Sequence, residues 1–191
     1  MKRFPAKGFT LLELLVTAII LTLLSVVIVQ VFISTMRTNS KTETVQDVKG
    51  SGDRAIDMMT RLVQNAKSIH LPTSPASCNG EIFDTVTLTN ADGEETTFSC
   101  IELGGVARIA SVSGSVSPQT VYLTNTDVTL VDPTNTTNTC SNNALAFTCT
   151  LVGDVPGFIT IGFSLRQINS SASTANTAAG TFQTTVVLRN K

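Results

Sequence analysis

Apolar residues crowd one end of this chain and thin into alternation towards the other. From Phe9 to Ile33 it reads FTLLELLVTAIILTLLSVVIVQVFI, with Glu13 as the only charge. A helix over 9–33 rises about 37 Å, more than a hydrocarbon core of about 30 Å requires. A secretory signal has an apolar core of about 7–15 residues followed by a small-residue cleavage site. This run is longer and no A-x-A follows it, so the pattern predicts a membrane helix that stays in place.

After Ile33 the chain turns polar, STMRTNSKTETVQDVKGSGD. The glycines of Gly50-Ser51-Gly52 are expected to interrupt the helix, with Asp53 capping a second one. In DRAIDMMTRLVQNAKSIH, Ile56, Met59, Leu62, Val63, Ala66 and Ile69 recur at three- and four-residue steps, which predicts an amphipathic helix packed on a sheet. Met58 and Met59 are read as packing residues rather than ligands, and His70 as structural. Beyond Pro72 the signals are those of strands. VTLTNADGEETTFSC (86–100) alternates around Asp92-Gly93, a hairpin turn, and VARIASV (106–112), VYLTNTDVTLV (121–131), ALAFTCTLV (144–152), GFITIGFSL (157–165) and TFQTTVVLRN follow. DPTNTTNTCSNN and the low-complexity tract NSSASTANTAAG (169–180) read as loops. No internal repeat is present. Helix first and antiparallel strands after gives an α+β class. The expected divisions are a leader 1–8, an apolar helix 9–33, a polar connector and amphipathic helix 34–71, and a β-rich domain 72–191.

Composition narrows the setting. The formal net charge of −1 over 191 residues, with no basic run in the C-terminal part, argues against nucleic-acid binding. Cys78, Cys100, Cys140 and Cys149 all follow the apolar run. Four cysteines allow three pairings; Cys78–Cys100 and Cys140–Cys149 are the expected pairs, because each brackets a turn-rich segment. Zinc is disfavoured, since there is no C-x-x-C and His70 is the only histidine. Disulfides imply an oxidising compartment. Lys2, Arg3 and Lys7 direct the N-terminus to the cytoplasm, and although Arg37, Lys41 and Lys49 follow closely on the other side, the cysteines favour an exported C-terminal domain.

A plain anchor leaves Glu13 unexplained, because a carboxylate near the centre of a membrane helix costs about 2.5 to 3.5 kcal/mol on insertion scales. The basic leader MKRFPAKG ending in Gly8, followed by Phe9, Thr10, Leu11, Leu12 and Glu13 ahead of an apolar helix, resembles the N-terminus of type IV pilins and pseudopilins. The resemblance implies cleavage between Gly8 and Phe9 by a prepilin peptidase and methylation of Phe9. It implies a long helix, apolar then amphipathic, bearing a β-rich head, and assembly with like subunits on an inner-membrane platform. Glu13 is then expected to pair with the amine that cleavage creates on Phe9, in its own chain or in a neighbour's. A negative group at that position also suits the positive end of the helix dipole. RLVQNAKSI and the C-terminal strand resemble the minor J-type pseudopilins and W-type minor pilins.

Catalytic signatures are missing: there is no G-x-S-x-G, P-loop or H-E-x-x-H. Asp92, Glu94 and Glu95 are close enough to suggest calcium, as some pseudopilins bind it in C-terminal loops, and Asp127 and Asp132 raise the same question. The spacing is not that of an EF-hand, and a solvated acidic turn is the preferred reading. No cofactor is expected. Two classes of function compete: a filament subunit that is not an enzyme, and a membrane-anchored enzyme or binding module with a pilin-like start.

Overall fold

The computed structural model of the chain describes residues 8, 10–72, 79–115, 117–134, 140, 144–152, 155–168 and 178–187. Among these residues one helix, α1 (Leu11–Asn65), precedes ten strands: β1 (Ser68–His70), β2 (Asn79–Phe83), β3 (Val86–Thr89), β4 (Glu95–Leu103), β5 (Val106–Ser113), β6 (Thr120–Tyr122), β7 (Val128–Leu130), β8 (Leu145–Val152), β9 (Val155–Gln167) and β10 (Ala179–Val187). The α+β class expected from the sequence is the one observed. The chain divides into two compact units, Met1–Thr42 and Glu43–Lys191.

In the second unit the strands form two antiparallel sheets. One runs β1-β3-β4-β5-β6 and the other β10-β9-β8-β2, with β7 also paired to β9. The 86–100 hairpin forms as expected. Val86↔Phe98 through Thr89↔Glu95 set its register, and Gly93 takes φ 90°, a conformation that suits glycine at the turn.

The helix does not break at Gly50–Gly52, contrary to expectation, and Asp53 lies within α1 rather than capping a second helix. Packing overrides the roughly 1 kcal/mol that each glycine costs a helix. Val48, Ala55, Met59 and Val63 are fully buried on one stripe, and Gly52 lies on the same stripe under the ring of Phe182. Buried Ser51 accepts a hydrogen bond from the Asn125 amide through its hydroxyl at 3.1 Å. Arg54 Nε covers the Gly50 carbonyl at 3.0 Å.

At its far end α1 is shorter than the amphipathic pattern predicts. Ser68–His70 forms β1, paired with Thr89, Leu88 and Thr87. The Lys67 amide donates to the Thr89 carbonyl at 2.8 Å, so the β3 edge captures the chain before another helical turn forms. Ile69 still packs against the core, now from a strand.

The expected strand 121–131 is in fact two, β6 on one sheet and β7 on the other. β10 occupies one edge of β9 through Arg166, and β8 the other through Phe163. β7 therefore takes up the edge that β8 leaves, from Leu130↔Leu165 to Val128↔Gln167. Two threonines complete β5 where β6 ends. The Ile109 amide donates to Thr124 Oγ1 at 3.3 Å and the Ala107 amide to Thr129 Oγ1 at 3.0 Å. Both hydroxyls are buried, so each satisfies a donor that water cannot reach. A single strand would set residues 124 and 129 on opposite faces, so the crossing between sheets is what lets both threonines reach β5.

The cysteine pairing also departs from expectation. Cys100 on β4 is bonded to Cys140, 40 positions farther along the sequence. Both expected pairs, Cys78–Cys100 and Cys140–Cys149, are thereby excluded, since each sulfur forms one such bond. Cys149 is buried and disulfide-bonded as well, whereas Cys78 lies outside the described residues. The bond joins Cys100 on β4 to a cysteine distant in sequence, which sequence bracketing does not anticipate. Most of the loop expected at 132–143, and residues 169–177 of the low-complexity tract, also lie outside the described residues; Ala179 and Gly180 of that tract begin β10.

Candidate membrane-anchor and assembly segment

Within the first unit, α1 opens at a built cap. The amides of Glu13 and Leu14 donate to the Thr10 carbonyl at 3.1 and 3.2 Å. The Glu13 amide also lies 3.3 Å from Thr10 Oγ1. Thr10 is therefore the N-cap, and Thr10-Leu11-Leu12-Glu13 has the spacing of a capping box, in which the acidic side chain can reach back to the N-cap amide. Glu13 falls in the first turn, where the free amides of the helix favour a negative group. The candidate residues thus gather at one helix end, with Gly8 exposed just ahead of it. Phe9 lies outside the described residues. Sequence reasoning overlooks Thr10 as a functional position, although T-x-x-E before an apolar run is its signature.

From Leu11 to Ile33 the large apolar side chains all face outwards, Leu11 at 83% and Ile28 at 66% exposure. Among the described residues one helix is long and apolar enough to cross a membrane, and no part of its apolar window is buried. The 11–33 portion rises about 34 Å. Its hydroxyl groups are satisfied within the helix. Thr17 donates to the Leu14 carbonyl at 2.9 Å, Thr22 to Ile19 at 2.8 Å and Ser25 to Leu21 at 2.8 Å. Hydrocarbon offers no water to such groups, so internal pairing is what lets them enter it. That leaves Glu13 as the one charge within the segment.

The other candidates belong to the second unit and form no joint site. Asp92 Oδ1 accepts the Glu94 amide at 3.1 Å, which ties the acidic turn to its own backbone. Asp132 Oδ1 accepts the Thr134 amide at 2.8 Å, and Asp127 is exposed. Among the described residues no three His, Cys, Asp or Glu side chains converge on a point. His70 is exposed on β1, 3.3 Å from the Ser68 hydroxyl. Two open grooves, of about 360 and 410 Å³, flank Ala179–Thr181. Val45, Val48, Lys49 and Asp53 line the first, and Asp132, Pro133 and Arg166 the second. Ser164, at the second groove, shares a 3.0 Å hydrogen bond with Thr181 rather than with a base.

A family profile described as the prokaryotic N-terminal methylation motif matches residues 3–29. No curated protein and no solved structure matches the chain. The profile covers most of the leader, Gly8, Phe9, the Thr10 cap, Glu13 and most of the apolar run. The N-terminus of this chain therefore carries a type IV pilin-like prepilin signal, set on an exposed helix of membrane-spanning length.

Proposed function

We propose that the chain is a structural subunit of a type IV pilus or a related pseudopilus. Prepilin peptidase cleaves it between Gly8 and Phe9 at the cytoplasmic face of the inner membrane and methylates Phe9. The β-rich domain is exported, and the subunit then leaves the bilayer for a filament held together by the apolar helices. The methylation-motif match over residues 3–29, a span that includes Gly8, Phe9 and Glu13, carries this reading.

Glu13 supplies the assembly chemistry. A carboxylate and an ammonium are each costly alone in hydrocarbon and attract strongly there, so a neighbour that neutralises both is selected. The partners are other pilin or pseudopilin subunits, the peptidase and an inner-membrane assembly platform, with lipid around the helix before assembly. A minor rather than a major subunit is supported by RLVQNAKSI and the C-terminal strand, which resemble J-type and W-type proteins. The role is structural, without catalysis or a cofactor.

Replacing Glu13 with leucine tests assembly. The variant is expected to insert in the membrane and to be missing from sheared filaments. Incorporation at the level of the unaltered chain would remove Glu13 from the account, whereas absence of the unaltered chain itself from filaments would favour a plain membrane-anchored binding module or enzyme.

A further inference from the structure

Beyond Ile33, the first four charges on α1 form two like-charged pairs of opposite sign. Arg37 and Lys41 are four residues apart and exposed, and so are Glu43 and Asp47. Side chains at i and i+4 are neighbours on a helix, so both pairs repel internally. None of the four side chains has an ion-pair or hydrogen-bond partner among the described residues. Farther along, Asp53 and Asp57 are also four residues apart, but Lys49 and Arg61 stand in attractive i,i+4 order on either side of them. Like-charged pairs with no opposite charge three or four residues away are thus confined to 37–47.

We infer that Arg37 and Lys41 of one copy dock on Glu43 and Asp47 of a second, parallel copy displaced by six residues along the helix. The six-residue offset matches both contacts at once, Arg37 with Glu43 and Lys41 with Asp47. Each copy uses a cationic patch on one neighbour and an anionic patch on the other, which makes the contact heterologous. Repetition of such a contact generates an open helical array rather than a closed pair. The inference rests on the filament reading above, and the two agree in direction. Pairing Glu13 with a neighbour's Phe9 amine displaces that neighbour the same way by four residues, and the two-residue difference, about 3 Å of rise, is within the reach of Lys and Arg side chains. Anionic lipid headgroups would suit Arg37 and Lys41 alone, but would leave the repulsion between Glu43 and Asp47 in place.

Cysteine crosslinking in the full chain, under oxidation of intact cells, tests the contact. Lys41→Cys with Asp47→Cys in one chain is expected to give a disulfide-linked ladder of this chain. Either substitution alone is expected to give none, because 41 meets 47 and not 41. The two positions are too far apart along one helix to bridge within a chain. Arg37→Glu and Glu43→Lys are then added to the double-cysteine chain, singly and together. Each alone should cut the ladder by about tenfold, and both together should restore it. A dimer from either single cysteine, a crosslink to a different protein, a ladder indifferent to charge, or a reversal that alters only membrane partition would overturn the contact. If the chain is methylated at Phe9 and reaches filaments but gives no ladder, the contact fails and the filament reading stands. If Met1 is retained and the ladder forms, the filament reading fails and the contact stands; with Met1 retained and no ladder, both fail.

Discussion

Phe182 of β10 lies where a side chain at position 52 of α1 would have to go: a Cβ on Gly52 would fall against the ring itself. The same ring stacks on Phe163, its direct cross-strand partner, with centroids 5.3 Å apart. Gly52→Ala is therefore expected to destabilise the domain although alanine is the better helix former. Overpacking costs about 1–3 kcal/mol, against a helix-propensity gain of about 0.8–1 kcal/mol. A thermal melt should show the midpoint fall by a few degrees. Adding Phe182→Leu should recover part of the loss, and strictly additive effects would show that the two residues do not meet in the way described.

The Cys100–Cys140 bond closes a loop of 40 residues in sequence separation. On the chain-entropy view such a crosslink contributes about 4 kcal/mol. Replacing both cysteines with serine should lower the melting temperature substantially. Peptide mapping without reduction should return a linked pair containing Cys100 and Cys140, whereas a Cys78–Cys100 peptide would contradict the connectivity.

Thr129→Val keeps shape and removes the acceptor for the buried Ala107 amide. A buried donor without a partner costs about 1–3 kcal/mol. The change should be felt as lost stability and as faster hydrogen exchange at Ala107, while Thr129→Ser should stay close to the unaltered protein. Unchanged exchange at Ala107 in the valine variant would show that the bond between sheets is dispensable.

The N-terminal site is the most legible part of the sequence because its chemistry is local. Gly8, Phe9 and Glu13 hold fixed positions ahead of the apolar run, and the Thr10 cap needs only the four residues Thr10–Glu13. The Asp92-Gly93 hairpin is legible for the same reason. What goes unread depends on partners distant in sequence. Gly52 looks like a helix breaker until Phe182, from the far end of the chain, is laid over it. Ser68–His70 continues a helical stripe until the β3 edge claims it. The 121–131 segment reads as one strand, yet Thr124 and Thr129 both turn inwards to finish hydrogen bonds on β5. Cysteine pairing belongs to the same class, since it follows strand placement rather than spacing.

Gly8 is exposed, and a Cβ added there would meet nothing within 4 Å. The fold therefore gives no packing reason for glycine at this position, whereas the proposed cleavage would supply one. Gly8→Leu should leave the β-rich domain folded, with an unchanged melting temperature, and should leave the leader attached. Normal trimming of the leucine variant would separate the motif from the peptidase.

Tandem mass spectrometry of the N-terminal peptide from the membrane-extracted protein tests the central claim most directly. The expected chain begins at Phe9 and carries a single methyl group on its amine. A chain still beginning at Met1, or one trimmed at another bond, would contradict the claim.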